Sequence, residues 1–129
     1  MNRTVIKTKN APSAVGAYNQ GIKANGVIYT SGQIALNPET NNLVDGGIEL
    51  QIDQIFKNLD AICKSAGSSI GNAVKFTVFL TDITYASLVN KQINNWFDSD
   101  SYPARSMVEV CKLPLNSNIE IECIAIEDE

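Results

Sequence analysis

The chain of 129 residues contains no histidine. That single absence removes Ser-His-Asp and Cys-His nucleophilic sites, HExxH metal sites and imidazole acid–base chemistry together. Any proton moved in catalysis must travel through a carboxylate, a tyrosine, the backbone or bound water. Arginine is nearly absent as well: Arg3 and Arg105 are the two, and the lysines are scattered without forming a stripe. With a net charge of −4, the surface repels phosphate backbones, so no nucleic-acid partner is expected. No apolar run reaches the roughly 18 residues of a membrane span, and Met1-Asn2-Arg3-Thr4 lacks the apolar core of a signal peptide. A cytoplasmic setting without membrane attachment is therefore expected. Three widely spaced cysteines, Cys63, Cys111 and Cys123, form no CxxC pair. They suit neither a disulfide framework nor a metal ribbon, and all three read as packing residues.

What remains is ordinary globular material, 44% hydrophobic and 19% charged, of a length that suits one domain spanning 1–129. Thr4-Val5-Ile6 reads as a first strand. Tyr18 to Lys23 and Val27 to Ser31 read as a second and third, joined by Asn25-Gly26, a strong hairpin signal. Residues 37–42 are rich in turn formers. Ile48, Ile52, Ile55, Leu59 and Ile62 then repeat at spacings of four and three, which predicts a helix closed by Gly67. Val74 to Leu80 returns to strand. Tyr85, Leu88, Val89, Ile93, Trp96 and Phe97 mark a second helix, with Asp82 or Thr84 as its cap. Strands near Ser106 to Val110 and Ile119 to Ile126 end the chain, with Pro103 at the break before them. The order β-β-β-α-β-α-β-β predicts an α+β fold, a single sheet with two helices packed on one face.

The last strand carries more information. Ile119, Ile121, Cys123 and Ala125 alternate onto one apolar face that should meet the helices. The other face bears Glu120, Glu122, Ile124 and Ile126, half acidic and half apolar. Such a face suits either a subunit interface beside an acidic cleft or a plain solvated surface.

Several stretches together are specific. Gly16-Ala17-Tyr18-Asn19-Gln20, Ser31-Gly32-Gln33, Asn37-Pro38-Glu39-Thr40, Val78-Phe79-Leu80-Thr81-Asp82, Pro103-Ala104-Arg105-Ser106 with Val108-Glu109-Val110, and Ile119-Glu120-Ile121-Glu122 occur in that order. In this set the chain resembles the RidA/YjgF family of reactive-intermediate (enamine/imine) deaminases, across about residues 11 to 126. The resemblance implies a chorismate-mutase-like fold and a homotrimer with clefts between subunits. It also implies hydrolysis of 2-imino acids and their enamine tautomers to 2-keto acids and ammonia, with no metal or organic cofactor. Arg105 would grip the substrate carboxylate, which a guanidinium can hold bidentately. Glu120 would position or deprotonate the attacking water. Tyr18, Ser31 and Gly32 would line the pocket, the backbone at Met107 would help bind the ligand, and Asn90 would lie close by. Glu122, about 7 Å from Glu120 along the strand, is placed to raise a neighbouring carboxyl pKa.

The chain departs from the family pattern at Met107, where many relatives carry cysteine or threonine. It departs again at Ala17 in place of a proline, and in a short loop from Asp98 to Tyr102. Two other readings stay open: a non-catalytic trimer that binds small carboxylates, and the ribonuclease activity attributed to some relatives.

Overall fold

The computed structural model describes residues 3–129; Met1 and Asn2, part of the start read above as lacking a signal peptide, lie outside the described residues. Strands β1 (Arg3–Ile6), β2 (Gly21–Ala24) and β3 (Val27–Thr30) come first. Helix α1 (Ile48–Ser65), strand β4 (Ala73–Leu80) and helix α2 (Ala86–Trp96) follow. Strands β5 (Ala104–Glu109) and β6 (Ile119–Ile126) close the chain. The order is the expected one, in one mixed six-stranded sheet with two helices packed on it.

Local chemistry accounts for the boundaries. Asn25 and Gly26 have φ of 52° and 78°, the two positive values that a tight hairpin turn requires. Helix α1 buries Ile52, Ile55, Phe56, Leu59 and Ile62. It stops at Gly67 (φ 80°), where Ser68 N–H donates to Cys63 O at 3.0 Å and Gly67 N–H to Lys64 O at 3.2 Å. These are the paired bonds of a left-handed C-terminal cap. Of the two candidate caps before α2, Asp82 serves: its Oδ1 accepts from the Thr84 N–H (2.9 Å) and hydroxyl (2.7 Å). Those bonds hold the Asp82 carboxyl below its usual range. A single 3₁₀ turn, Ile83–Tyr85, separates this cap from α2.

Three readings need correction. The second strand starts at Gly21 rather than Tyr18, because the buried Gln20 turns its amide toward residues 8–12. Thr8 N–H donates to Gln20 Oε1 (2.7 Å), and Gln20 Nε2 donates to the carbonyls of Thr8 (3.0 Å), Ala11 (3.2 Å) and Pro12 (2.8 Å). One side chain thus supplies the partners that a strand would otherwise supply. Strand β5 begins at Ala104, directly after Pro103, two residues earlier than expected. Cys111, expected in the packing, is exposed just beyond β5, while Cys63 and Cys123 are buried.

The strands run β1-β2-β3-β6-β4-β5 across the sheet. The last strand therefore lies inside, antiparallel to both β3 and β4, and β5 lies at an edge, parallel to β4. One face of β6 is buried as expected, with Ile119, Ile121, Cys123 and Ala125 at 2% exposure or less. They pack with Phe76, Val78 and Leu80 of β4 beneath the helices. Phe76 stacks against Phe56 of α1 at 5.4 Å and edge-on to Phe97 at 5.9 Å. Neither α1 nor α2 covers the opposite face. There Val5, Tyr29, Val108 and Ile126 are each close to half exposed, in register with Ile22, Ile124, Phe79 and Val27.

Candidate active site

Strand register decides where the two principal groups point. Arg105 pairs with Phe76, which pairs with the buried Cys123; Glu120 pairs with Phe79, which pairs with Val108. Paired residues share a face of a sheet. Arg105 therefore projects to the helix side and Glu120 to the open side. Two strand spacings and three residues separate their α-carbons, about 14 Å. Within one chain the two groups cannot reach a common small substrate.

The Arg105 half lies between α2 and β5, at a cavity of about 300 Å³ lined by Asn90, Ile93, Asn94, Tyr102, Pro103 and Arg105. Arg105 Nη1 donates to Asn90 Oδ1, and the Tyr102 hydroxyl to Asn94 Oδ1. A guanidinium has five N–H donors, so the bond to Asn90 orients it and leaves donors to bind a carboxylate. The short loop after α2 closes this cavity, since Tyr102 comes from it. Met107, on the same side of β5 as Arg105, packs its side chain partly against the core.

The Glu120 half is a second cavity of about 270 Å³ on the open side, where Tyr18, Gly32 and Glu120 meet. Gly32 shows why this position lacks a side chain. A Cβ there would lie 2.5 Å from Glu120 Oε2 and 2.8 Å from its Cδ. The need is for space over the carboxylate, not for an unusual backbone angle. Ser31 stands beside the cavity and donates its hydroxyl to Asn19 O (2.5 Å), while its N–H donates to Gln20 O (2.9 Å). It fastens the segment that bears Tyr18 to the end of β3. Tyr18, about half exposed, folds back so that its hydroxyl accepts from Val15 N–H at 3.4 Å.

Partial burial pushes the Glu120 carboxyl above the usual carboxylate range, and the Glu122 charge adds to this in second place. The spacing of the two glutamates predicted the second cause; the larger first one needs the cavity. A carboxylate with raised proton affinity in a half-dry cleft is suited to accept a proton from water. Among the described residues, no group of three or more Cys, Asp or Glu is placed to hold a metal ion. Residue reasoning missed Gln20, present in one of the family-like motifs but given no role; Pro114 and Asn116 do mark a loop between the last two strands, but nothing in them places that loop beside Glu120.

The fold and the two cavities define a class: a small α+β protein with an oriented guanidinium and a half-buried carboxylate on opposite faces of one sheet. Residues 8–127 match the family model described as endoribonuclease L-PSP. The human 2-iminobutanoate/2-iminopropanoate deaminase is 42% identical over 125 residues, covering 97% of this chain and 90% of that protein. A RutC family protein from Synechocystis is 44% identical over 127 residues, 98% of each chain. The crystal structure of TdcF from E. coli with bound serine superposes with a TM-score of 0.89 at 36% identity, covering 97% of this chain and 99% of that one. The chain belongs to the RidA/YjgF family.

Proposed function

We propose that the protein hydrolyses reactive 2-imino acids, and their enamine tautomers, to 2-keto acids and ammonia, acting as a homotrimer with its active sites between subunits. The observation that carries the reading is Glu120, a carboxylate of raised proton affinity in a cleft that Gly32 keeps open for it. The names of relatives such as the human enzyme support the reaction. The opposite-face placement of Arg105 and Glu120 supports the assembly, because a heterologous contact would bring the Arg105 face of one copy against the Glu120 face of the next. Such contacts close into a ring of three where the rotation between copies is 120°. The exposed apolar side chains around Val5, Tyr29 and Val108 are the material that such a contact would bury.

In this reading Arg105 holds the substrate carboxylate by paired, charge-assisted hydrogen bonds, and Asn90 fixes the guanidinium. Glu120 of a neighbouring copy takes a proton from water as its oxygen bonds to the C=N carbon. The carbinolamine nitrogen receives that proton back from Glu120, the hydroxyl gives up its own proton to the freed carboxylate as the C–N bond breaks and C=O forms, and ammonia leaves the 2-keto acid. An iminium carbon is already electrophilic, so positioning and modest proton transfer suffice. The serine bound in the TdcF crystal structure fits a small carboxylate ligand of this kind.

The test feeds a threonine dehydratase its substrate and follows semicarbazone formation from the released imine. Wild type should suppress the trapped imine, and Arg105→Ala should lose at least about 100-fold in kcat/KM, roughly 2.7 kcal/mol. Near-normal activity in that variant would remove Arg105 from the mechanism. Tight 2-ketobutyrate binding without any loss of imine would leave a non-catalytic binder instead.

A further inference from the structure

Two side-chain hydrogen bonds cross the cavity between α2 and β5, and one of them does not involve Arg105. Asn90 and Asn94 lie one turn apart on α2, so their side chains stand one above the other on the same face. Asn90 Oδ1 accepts from Arg105 Nη1, and Asn94 Oδ1 accepts from the Tyr102 hydroxyl. The two donors are close in sequence, with Pro103 and Ala104 between them. Two rungs on the helix thus meet two rungs on the segment that enters β5.

Packing alone does not set the width of this gap. Ile93 and Phe97 seat the inner side of α2 on the core, whereas Asn90 and Asn94 stand exposed on its outer side. Strand β5 lies at the edge of the sheet beside β4. Its first residues, Ala104, Arg105 and Ser106, are exposed, so apolar burial does little to hold them against α2. At the far end of β5, Glu109 Oε1 accepts from Ile83 N–H at 2.9 Å, which ties the strand to the turn before α2. At the near end the tie is Tyr102 to Asn94. Pro103, with its φ fixed by the ring, stiffens the link from Tyr102 toward Arg105. A guanidinium that must also take a carboxylate is poorly suited to hold its own cavity at one width.

We infer that Tyr102 and Asn94 are positioning residues for carboxylate binding: their bond fixes the spacing between α2 and the start of β5 at which Asn90 orients the Arg105 guanidinium. The inference rests on the reading of Arg105 as the carboxylate clamp and adds the pair that prepares it. The one proton of the Tyr102 hydroxyl is committed to Asn94, so the pair acts through Arg105 and not on the reacting atoms. Holding Arg105 in place before the ligand arrives lowers the ordering cost of binding. Its loss weakens capture rather than the bond-making steps.

The experiment compares Tyr102→Phe, Asn94→Leu and the double variant with wild type, by calorimetry with 2-ketobutyrate and by the imine assay. Each single variant should weaken 2-ketobutyrate binding by about fivefold, the worth of one ordinary hydrogen bond, and raise KM by a similar factor with kcat within about twofold. The double variant should be no weaker than either single one, because both changes remove the same bond. In an Asn90→Ala background, Tyr102→Phe should add less than about a twofold effect. Denaturant midpoints should stay at the wild-type value, since the bond is exposed. Full affinity in Tyr102→Phe, additive losses in the double variant, or a midpoint that falls in step with affinity would each overturn the assignment. Tyr102-dependent binding of 2-ketobutyrate without imine hydrolysis would sink the deaminase reading and keep the positioning role. Imine hydrolysis unchanged in Tyr102→Phe would do the reverse, and a wild type that neither binds nor hydrolyses would overturn both.

Discussion

In the proposed mechanism, Glu120 sets function against stability at the scale of one residue. Its carboxyl is raised in the folded protein, so the folded state binds that proton more tightly than the unfolded chain does. Stability from this group is therefore present at low pH and is lost as pH rises through the raised value. At neutral pH the charged carboxylate costs stability. Glu120→Gln should accordingly raise the melting temperature at pH 7, by an increment that shrinks as pH falls through the carboxylate range, while activity drops at least about 100-fold. A variant that melts lower at pH 7, or that stays active, would contradict the role of burial or of the base. Glu122 contributes the smaller cause. Glu122→Gln should thus shift the acid limb of the kcat/KM profile to lower pH without bringing it to the value of an exposed carboxylate. The same residues show how much was readable beforehand. The alternation of β6 disclosed which face each glutamate occupies, and their spacing disclosed their coupling. The cavity that supplies the larger effect is assembled from Tyr18, Gly32 and Glu120, whose meeting depends on chain folding rather than on spacing.

At the scale of elements, the segment 8–12 is held to the sheet by one amide. Gln20 makes four hydrogen bonds to it, and this segment leads through Pro12 into the Glu120 cavity. Gln20→Leu, close in size, removes all four and leaves partly buried backbone groups without partners, at about 1–3 kcal/mol apiece where water cannot reach. We expect a total loss of about 3 kcal/mol in denaturant unfolding, together with a rise in KM larger than any fall in kcat, as loosened Tyr18 and Pro12 bind substrate less well. Unchanged KM would confine Gln20 to a structural role. The periodic α1, the Asn25-Gly26 hairpin and the two faces of β6 were all legible, because each follows from residues adjacent in sequence. The strand limits at Gly21 and Ala104 were not, since a side chain twelve residues from its partner decides one of them. The central place of β6 was equally hidden, because strand neighbours distant in sequence leave no local trace.

At the scale of the molecule, a site divided between copies makes a sharp demand. Arg105→Ala and Glu120→Gln chains, each inactive alone, should regain about a quarter of wild-type activity when unfolded together in equal amounts and refolded, because one random pairing in four joins two intact halves. Sedimentation should give a trimer for both variants and for the mixture. No recovery in a mixture that does form trimers would mean that both residues act from one chain, against the roughly 14 Å and the sheet between them. No helix among the described residues is long and apolar enough to cross a membrane. The cysteines offer a further use of the fold. Cys63 and Cys123 are sealed inside, the thiol of Cys123 held well above its ordinary pKa by its contact with Cys63 and by burial, whereas Cys111 stands exposed past the end of β5. A maleimide dye offered to the native protein should therefore attach once per chain, close to the strand that carries Arg105. The molecule thus comes with its own labelling handle, where energy transfer between copies would report their assembly without any engineered cysteine.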